Sequence, residues 1–179
     1  MLNAAIACNA LPISQQNCDI ILLFKKGDRE IASNYRPISI LNCDYRIITR
    51  LLVARLNPVA QHLVHPDQTG FIKGRLISDN GMILTSLIEY AEWEPAFSGG
   101  LVFLDFEKAF DSIEWDWIFS VLEARGLPPY FINIIRLLYS KPCASIILNG
   151  YRSSPFTVGR GVRKGCPSHH YFLLYVSNP

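Results

Sequence analysis

Residues 101–115 (LVFLDFEKAFDSIEW) place a carboxylate where phosphoryl-transfer chemistry can use one. The unbroken apolar run at 101–104 predicts a buried strand, and Asp105 follows it directly. A carboxylate at the end of a central strand is a common magnesium ligand, and such a metal ion neutralises charge on the attacking and leaving oxygens. The alternative is that Asp105 only ends the strand or caps a turn, and the bare pattern favours that alternative.

Further strands are predicted to lie around this carboxylate. Short apolar runs at 20–24 and 38–41 predict two strands. Residues 144–148 and 151–158 flank Asn149-Gly150, a pair typical of a tight hairpin turn. We expect this hairpin to lie in or beside the sheet whose central strand ends at Asp105.

Four helices are predicted from apolar periodicity and from capping residues. From residue 44 apolar side chains recur every three or four positions, at 45, 48, 52, 56, 59 and 63. Arg46 and Arg50 fall off this stripe, and Pro58 is expected to kink or end the helix. Asp79 is expected to cap a second helix, residues 111–114 (DSIE) form a capping box for a third, and a fourth begins at 128–129. Strands and helices together predict one α+β domain.

Composition sets limits on the class of protein. Half of the residues are apolar and 18% are charged, which is typical of a folded chain. The net charge of +2 does not decide for or against a nucleic-acid partner. The five cysteines are scattered and form no C-x-x-C pair, so no disulfide partner is expected. With no signal peptide and no apolar run of membrane-spanning length, we expect an intracellular protein, nuclear or cytoplasmic.

Six blocks of the sequence resemble, in order, those of reverse transcriptases from non-LTR (LINE-type) retrotransposons. They are KKGD at 25–28, NYRPISILN at 34–42, QTGFIKGR at 68–75, FLDFEKAFDSIEW at 103–115, ILNGYRSSPF at 147–156 and RGVRKGCP at 160–167. The resemblance implies a right-hand polymerase, with fingers and inserted helices at about 20–95 and part of the palm at about 96–179. It also implies an RNA template, a DNA primer, deoxynucleotides and two magnesium ions.

The resemblance implies specific roles around Asp105. Asp105 matches the first metal-binding aspartate, and the backbone carbonyl of Phe106 would lie near the second metal ion. Phe110 matches the steric gate, an aromatic ring beneath the sugar that excludes a ribose 2′-hydroxyl. The alternative for Phe110 is an ordinary core aromatic. For Asp111, the spacing to Glu114 favours helix capping over metal binding.

Basic residues in the other blocks are implied to bind nucleotide. Lys26 and Arg36 would clamp the triphosphate, whose charge requires cations beyond the metal ions. Lys164 and Gly165 would lie against the incoming nucleotide, although Lys164 stands where the family usually has glutamine. The alternative for Lys26 and Arg36 is a solvated basic turn.

Lys73 and Arg75 flank Gly74 in the block at 68–75. We expect them to contact template phosphates, through their charge and through the close backbone approach that glycine allows. A basic turn on the surface is an equally good interpretation of the same residues.

The family's paired aspartates, in a second palm hairpin, do not occur before Pro179. One firm carboxylate cannot hold two metal ions, so we expect this fragment to be inactive on its own. The main alternative is a non-catalytic retroelement remnant that at most binds nucleic acid. A third is an aspartate-dependent phosphohydrolase, but such enzymes usually have a second Asp at the position of Glu107.

Overall fold

A five-stranded mixed sheet organises the chain, and the computed structural model describes residues 2–163 and 165–167. Its strands are β1 (Asn17–Phe24), β2 (Tyr35–Leu41), β3 (Cys143–Leu148), β4 (Tyr151–Arg152) and β5 (Phe156–Thr157). They are ordered β2-β1-β3-β4, and β5 also pairs with β3. β1 is antiparallel to β2 and parallel to β3. The sheet therefore takes strands from both sides of the boundary predicted near residue 95.

The described part of the chain also forms seven α-helices and a 3-10 helix at Ala32–Asn34. The α-helices are α1 (Leu2–Cys8), α2 (Ile13–Gln16), α3 (Cys43–Leu63), α4 (Ile77–Trp93), α5 (Ala109–Ser112), α6 (Trp115–Ala124) and α7 (Pro129–Leu138). The predicted α+β class is confirmed. So are the strands predicted at 20–24 and 38–41, the long helix after residue 43 and the helix that begins at the proline pair.

The predicted hairpin forms, with a division in its second arm. Asn149 and Gly150 both have positive φ, at 51° and 82°, which matches the tight turn that this pair favours. After β4 the backbone N–H of Ser153 donates to the Ile146 carbonyl at 2.9 Å, and its hydroxyl accepts from the Ile146 N–H at 2.9 Å. This side-chain bond replaces a regular backbone pairing, so the arm continues as the separate strand β5.

The core is built from one face each of α3, α6 and α7. Its most enclosed aliphatic and aromatic side chains are Tyr45, Leu52, Ile118, Leu122 and Ile135. Each aliphatic side chain buried in this way stabilises the fold by about 1.5–3 kcal/mol relative to exposure. The apolar stripe predicted for α3 is confirmed at positions 45, 48, 52 and 56, but Val59 is 44% exposed and Ala60 takes its place in the core.

Two predictions about helix caps are wrong, and of the two alternatives for Pro58 the structure excludes the end of the helix. Pro58 lies inside α3, which continues to residue 63; Pro58 is on the exposed side, where water can satisfy the carbonyl group that its ring leaves without a donor. Asp79 is not the cap of α4, because Leu76 occupies that position and Asp79 lies in the first turn. Likewise Glu114, not Asp111, is the N-cap residue of α6, since the short helix α5 takes up residues 109–112.

The strand predicted at 101–104 does not form. Residues 101–106 have no regular secondary structure and belong to no sheet, and Val102, Phe103 and Leu104 are 80–81% exposed. An unbroken apolar run becomes a buried strand only when another strand and a packing layer cover it. Here β3, from the hairpin expected beside Asp105, pairs with β1 instead.

No helix in the described ranges is both long enough and apolar enough to cross a membrane.

Candidate active site

Asp105 lies in the exposed, irregular segment at 101–106 and not at the end of a central strand. Phe106 next to it is 74% exposed. A turn at Glu107 and Lys108 follows, in which the lysine amino group is 3.7 Å from the glutamate carboxylate. The backbone of Lys108 has a φ of 52°. The turn leads directly into α5, so Asp105 and Phe110 belong to one short continuous stretch.

A backbone connection joins the end of α5 to the segment at 160–163. The N–H of Val162 donates to the Phe110 carbonyl at 2.7 Å, and the N–H of Gly161 donates to the Ile113 carbonyl at 2.8 Å. The indole N–H of Trp115 donates in turn to the Gly161 carbonyl at 2.9 Å. The structure therefore brings together Phe110, the predicted gate residue, and the block that carries Gly165, another predicted nucleotide contact.

Glycine is required at two positions of this block. A Cβ on Gly161 would lie 2.9 Å from the backbone oxygen of Asp111, and φ there is 87°. At Gly165, where φ is 108°, a Cβ would lie 2.6 Å from the carbonyl oxygen of Ser39 in β2. Both distances are too short for a real side chain. Gly161 is thus in close contact with α5, and Gly165 is in close contact with the sheet.

Arg163 anchors the same segment in the protein interior. The residue is 7% exposed, its Nη2 donates to the Gln16 carbonyl at 2.7 Å, and its guanidinium carbon lies 5.1 Å from the centre of the Tyr45 ring. Nε and Nη1 have no hydrogen-bond acceptor among the described residues. Burying a charged guanidinium is costly unless its N–H groups find acceptors. The Nε and Nη1 donors of Arg163 are therefore buried without that compensation among the described residues.

A cavity of about 210 Å³ lies between the sheet and this segment. Its walls include Cys18, Ser39, Asp111, Arg160 and Arg163. Burial raises the pKa of the Cys18 thiol, while the nearby Arg163 guanidinium acts in the opposite direction. The thiol is therefore neutral at physiological pH, and the ionic groups of the wall are Asp111 and the two arginines.

Lys26 and Arg36 lie on the hairpin formed by β1 and β2. Lys26 is exposed in the turn between the two strands. The Lys25 N–H donates to the Asn34 carbonyl at 2.9 Å and closes this turn. Arg36 is exposed and stands opposite Leu23 across the two strands. Pro37 and Ser39 line the cavity, and side chains alternate along a strand, so Arg36 lies on the other face of the sheet.

Arg75 closes the end of helix α3. Its guanidinium donates to five backbone carbonyls, those of Gln61, Val64, His65, Pro66 and Gln68, at 2.6–3.5 Å. These bonds satisfy carbonyls that a helix end leaves without a donor. Lys73 is exposed and takes part in no such contact. The structure thus separates the two residues: Arg75 has a structural position, and Lys73 is accessible from solvent.

The described residues do not by themselves fit a two-metal site. No group of three or more His, Cys, Asp or Glu side chains comes together in the parts of the chain that the structure describes. Glu107 is paired with Lys108, and Asp111 faces the cavity. Mg²⁺ requires several oxygen ligands at once, and of these residues Asp105 offers one carboxylate. Lys164 lies outside the described residues.

Sequence reasoning missed two residues of this arrangement. Gly161 has a signal in the spacing of Gly159, Gly161 and Gly165, since repeated glycines indicate close backbone approach. Arg163 has none, because an arginine in a basic loop is usually exposed.

Comparison with known proteins matches this chain to one family. Residues 24–173 match the family model described as "Reverse transcriptase (RNA-dependent DNA polymerase)". The chain is 34% identical over 167 residues, 93% of its length, to the Transposon TX1 uncharacterized 149 kDa protein of Xenopus laevis. It is 32% identical over 149 residues, 82% of its length, to a retrovirus-related Pol polyprotein from the type-1 retrotransposable element R2 of Popillia japonica.

A third relative is named as a polymerase. The probable RNA-directed DNA polymerase from transposon BS of Drosophila melanogaster is 28% identical over 166 residues, 91% of this chain. The chain spans 13% of the Xenopus protein, 20% of the Popillia protein and 18% of the Drosophila protein. From the family match over most of its length and from these relatives, the chain belongs to the reverse transcriptase family, as a short part of the reverse transcriptase domain of non-LTR retrotransposons.

Proposed function

We propose that this chain forms part of an RNA-directed DNA polymerase and carries the first metal-binding aspartate and the nucleotide-sugar contact. The observation that supports the proposal is the connection at Phe110, where the carbonyl accepts from Val162 at 2.7 Å. This bond holds the backbone of the gate candidate, five residues after Asp105, against the segment at 160–163. An aspartate, an aromatic gate and a close-packed glycine segment together suit templated addition of a deoxynucleotide.

In this proposal Asp105 supplies one oxygen ligand to magnesium, and the Phe106 backbone carbonyl lies near the second ion. The remaining ligands come from outside the described residues. Once bound, magnesium would neutralise charge on the reacting phosphate oxygens. The exposure of Asp105 leaves its carboxylate accessible for this role.

The proposed nucleotide contacts involve two groups of residues. Lys26, in the turn of the β1–β2 hairpin, binds the triphosphate by charge. Arg36 is a second proposed contact, although its side chain lies on the sheet face opposite the cavity. Lys164 and Gly165 lie against the nucleotide, with the backbone at Gly165 fixed by its contact with β2. We assign the template-phosphate contact to Lys73 rather than Arg75, because the Arg75 guanidinium already donates to backbone carbonyls.

Primer extension tests the proposal. In a longer protein that contains this chain, we expect extension of a DNA primer on an RNA template with magnesium and four deoxynucleotides. Asp105→Asn should lower the rate by at least a thousandfold, since losing a metal ligand raises the barrier by several kcal/mol. Glu107→Gln, two residues away, is the matched control and should keep the rate within about threefold. Equal activity of the parent and Asp105→Asn would refute the assignment.

For the 179-residue chain alone we expect no extension in the same assay. The described residues provide one firm metal-binding carboxylate, and a two-metal mechanism needs more. Extension by this chain that Asp105→Asn abolishes would contradict that expectation. If longer proteins carrying this chain also fail to extend primers, the alternative of a non-catalytic remnant that binds nucleic acid is favoured.

A further inference from the structure

Three exposed arginines of α3 have no assigned role. Arg46, Arg50 and Arg55 are exposed, and none makes a side-chain hydrogen bond or an ion pair among the described residues. The other arginines of the chain mostly have such contacts, with partners that include Glu123 at 3.0 Å for Arg136 and Asp19 at 2.7 Å for Arg152. Three exposed arginines without such contacts thus lie on the solvent-facing surface of one helix.

Helical geometry divides these arginines between two sides of α3. At 100° per residue, Arg46 and Arg50 lie about 40° apart, whereas Arg55 lies about 180° from Arg46. Asn57 and Gln61 fall on the same side as Arg46 and Arg50, so a polar stripe of four residues runs for roughly 22 Å along the axis. We call this stripe the 46–61 face. It contains no acidic residue.

The helix presents this face rigidly. Its inner side packs in the core, and its N-terminus is capped by the Asn42 side chain, which accepts from the Asp44 N–H at 3.0 Å. At the other end Arg75 donates to the Gln61 carbonyl at 2.9 Å and Arg125 donates to the Leu63 carbonyl at 2.8 Å. Binding to such a fixed surface costs little ordering of the backbone.

We propose that the 46–61 face binds the phosphate backbone of a nucleic-acid strand, with Arg46 and Arg50 as its two charge contacts. The proposal rests on the nucleic-acid partner of the proposed function and assigns that partner a surface on α3 in addition to Lys73. Arg46 and Arg50 are separated by roughly 6 Å along the axis, about the rise of two nucleotides of one strand. Gln61 extends the surface with a side chain that can bond to sugar and phosphate oxygens.

The test compares single charge removals on one helix. Arg46→Gln, Arg50→Gln and Arg55→Gln each remove one exposed charge and keep helix propensity nearly constant. Binding of the 179-residue chain to a labelled single-stranded RNA is measured by fluorescence anisotropy at several potassium chloride concentrations. We expect Arg46→Gln and Arg50→Gln each to weaken binding roughly fivefold at 0.1 M salt and to reduce the salt slope by about 0.7. Arg55→Gln should stay within twofold of the parent.

Further arms separate the outcomes. Arg50→Lys should restore affinity to within about threefold, because a phosphate contact needs the charge more than the guanidinium shape. Equal losses for all three glutamine variants would overturn this inference while leaving nucleic-acid binding in place. No RNA binding by the parent at low salt would remove the nucleic-acid partner and this inference together. If labelled polyglutamate is bound with the same dependence on Arg46 and Arg50, the face recognises acidic polymers in general and the assignment to nucleic acid is wrong.

Discussion

At the scale of single residues, Gly165 determines how close the proposed nucleotide-binding segment lies to the sheet. Its φ of 108° is one that side chains rarely adopt, and a Cβ would meet the Ser39 oxygen at 2.6 Å. Gly74 has a similar φ of 86°, but a Cβ added there would meet no atom within 4 Å. A substitution at Gly74 therefore introduces backbone strain alone, whereas a substitution at Gly165 introduces backbone strain and a steric clash.

We predict that Gly165→Ala lowers the free energy of unfolding by about 2–3 kcal/mol, because strain and a clash with backbone add. Gly74→Ala, the matched control, should cost about 1 kcal/mol from its φ alone. Urea denaturation measures both. An equal cost for the two variants would show that the segment at 165 does not lie against Ser39.

At the scale of elements, α3 depends on residues distant in sequence for its C-terminal end. Arg75 donates to carbonyls of the last turn and of the chain that follows, and Arg125 reaches Leu63 from the end of α6. The positive charge of the two arginines at this end also interacts favourably with the negative end of the helix dipole. Arg75, which the sequence suggested as a phosphate contact, therefore stabilises the C-terminal end of α3.

Arg75→Ala should lower the free energy of unfolding by about 2–3 kcal/mol, since it leaves several carbonyls without donors. Lys73→Ala, which removes an exposed charge two residues away, should change it by less than about 0.5 kcal/mol. Thermal and urea unfolding of the two variants check this. If Arg75→Ala is as stable as the parent and instead weakens RNA binding, the phosphate contact expected from the sequence is correct.

Local sequence patterns correctly predicted those elements that are determined by contacts between residues close together in the sequence. The Asn149-Gly150 turn, the stripe of α3 and the proline start of α7 follow from short-range rules, and the structure confirms them. The strand before Asp105 failed because pairing is a long-range property, and β3 pairs with β1. The same applies to the site: residue identity pointed to Asp105 and Phe110, but not to the buried anchor Arg163.

At the scale of the whole molecule, a large apolar surface is open to solvent. No residue of α4 is buried, with Ile77 and Trp93 at 77% and 79% exposure. The segment at 101–106 adjoins it in sequence and is equally exposed. A pocket of about 420 Å³ lies between Leu87 of α4 and Leu101. Contiguous apolar surface of this kind promotes association.

We predict that the 179-residue chain self-associates at micromolar concentration, and that Val102→Lys with Leu104→Lys reduces the association. Val102 and Leu104 are 81% and 80% exposed, so the added charges interrupt the apolar surface of this segment. Size-exclusion chromatography with light scattering gives the mass. Ser98→Lys controls for added charge and should leave association unchanged. A monomeric parent chain at these concentrations would contradict the prediction.

The central claim is that Phe110, held by the 160–163 segment, lies beneath the sugar of an incoming nucleotide. The most direct measurement is the ratio of ribonucleotide to deoxynucleotide incorporation by an active polymerase that contains this chain, for the parent and for Phe110→Val. We predict that the ratio rises at least tenfold in the variant, because the smaller side chain no longer excludes a 2′-hydroxyl. Phe119→Val, which alters a core ring of α6, should leave the ratio unchanged. An unchanged ratio in Phe110→Val, with deoxynucleotide synthesis intact, would show that Phe110 is an ordinary packing residue and would contradict the claim.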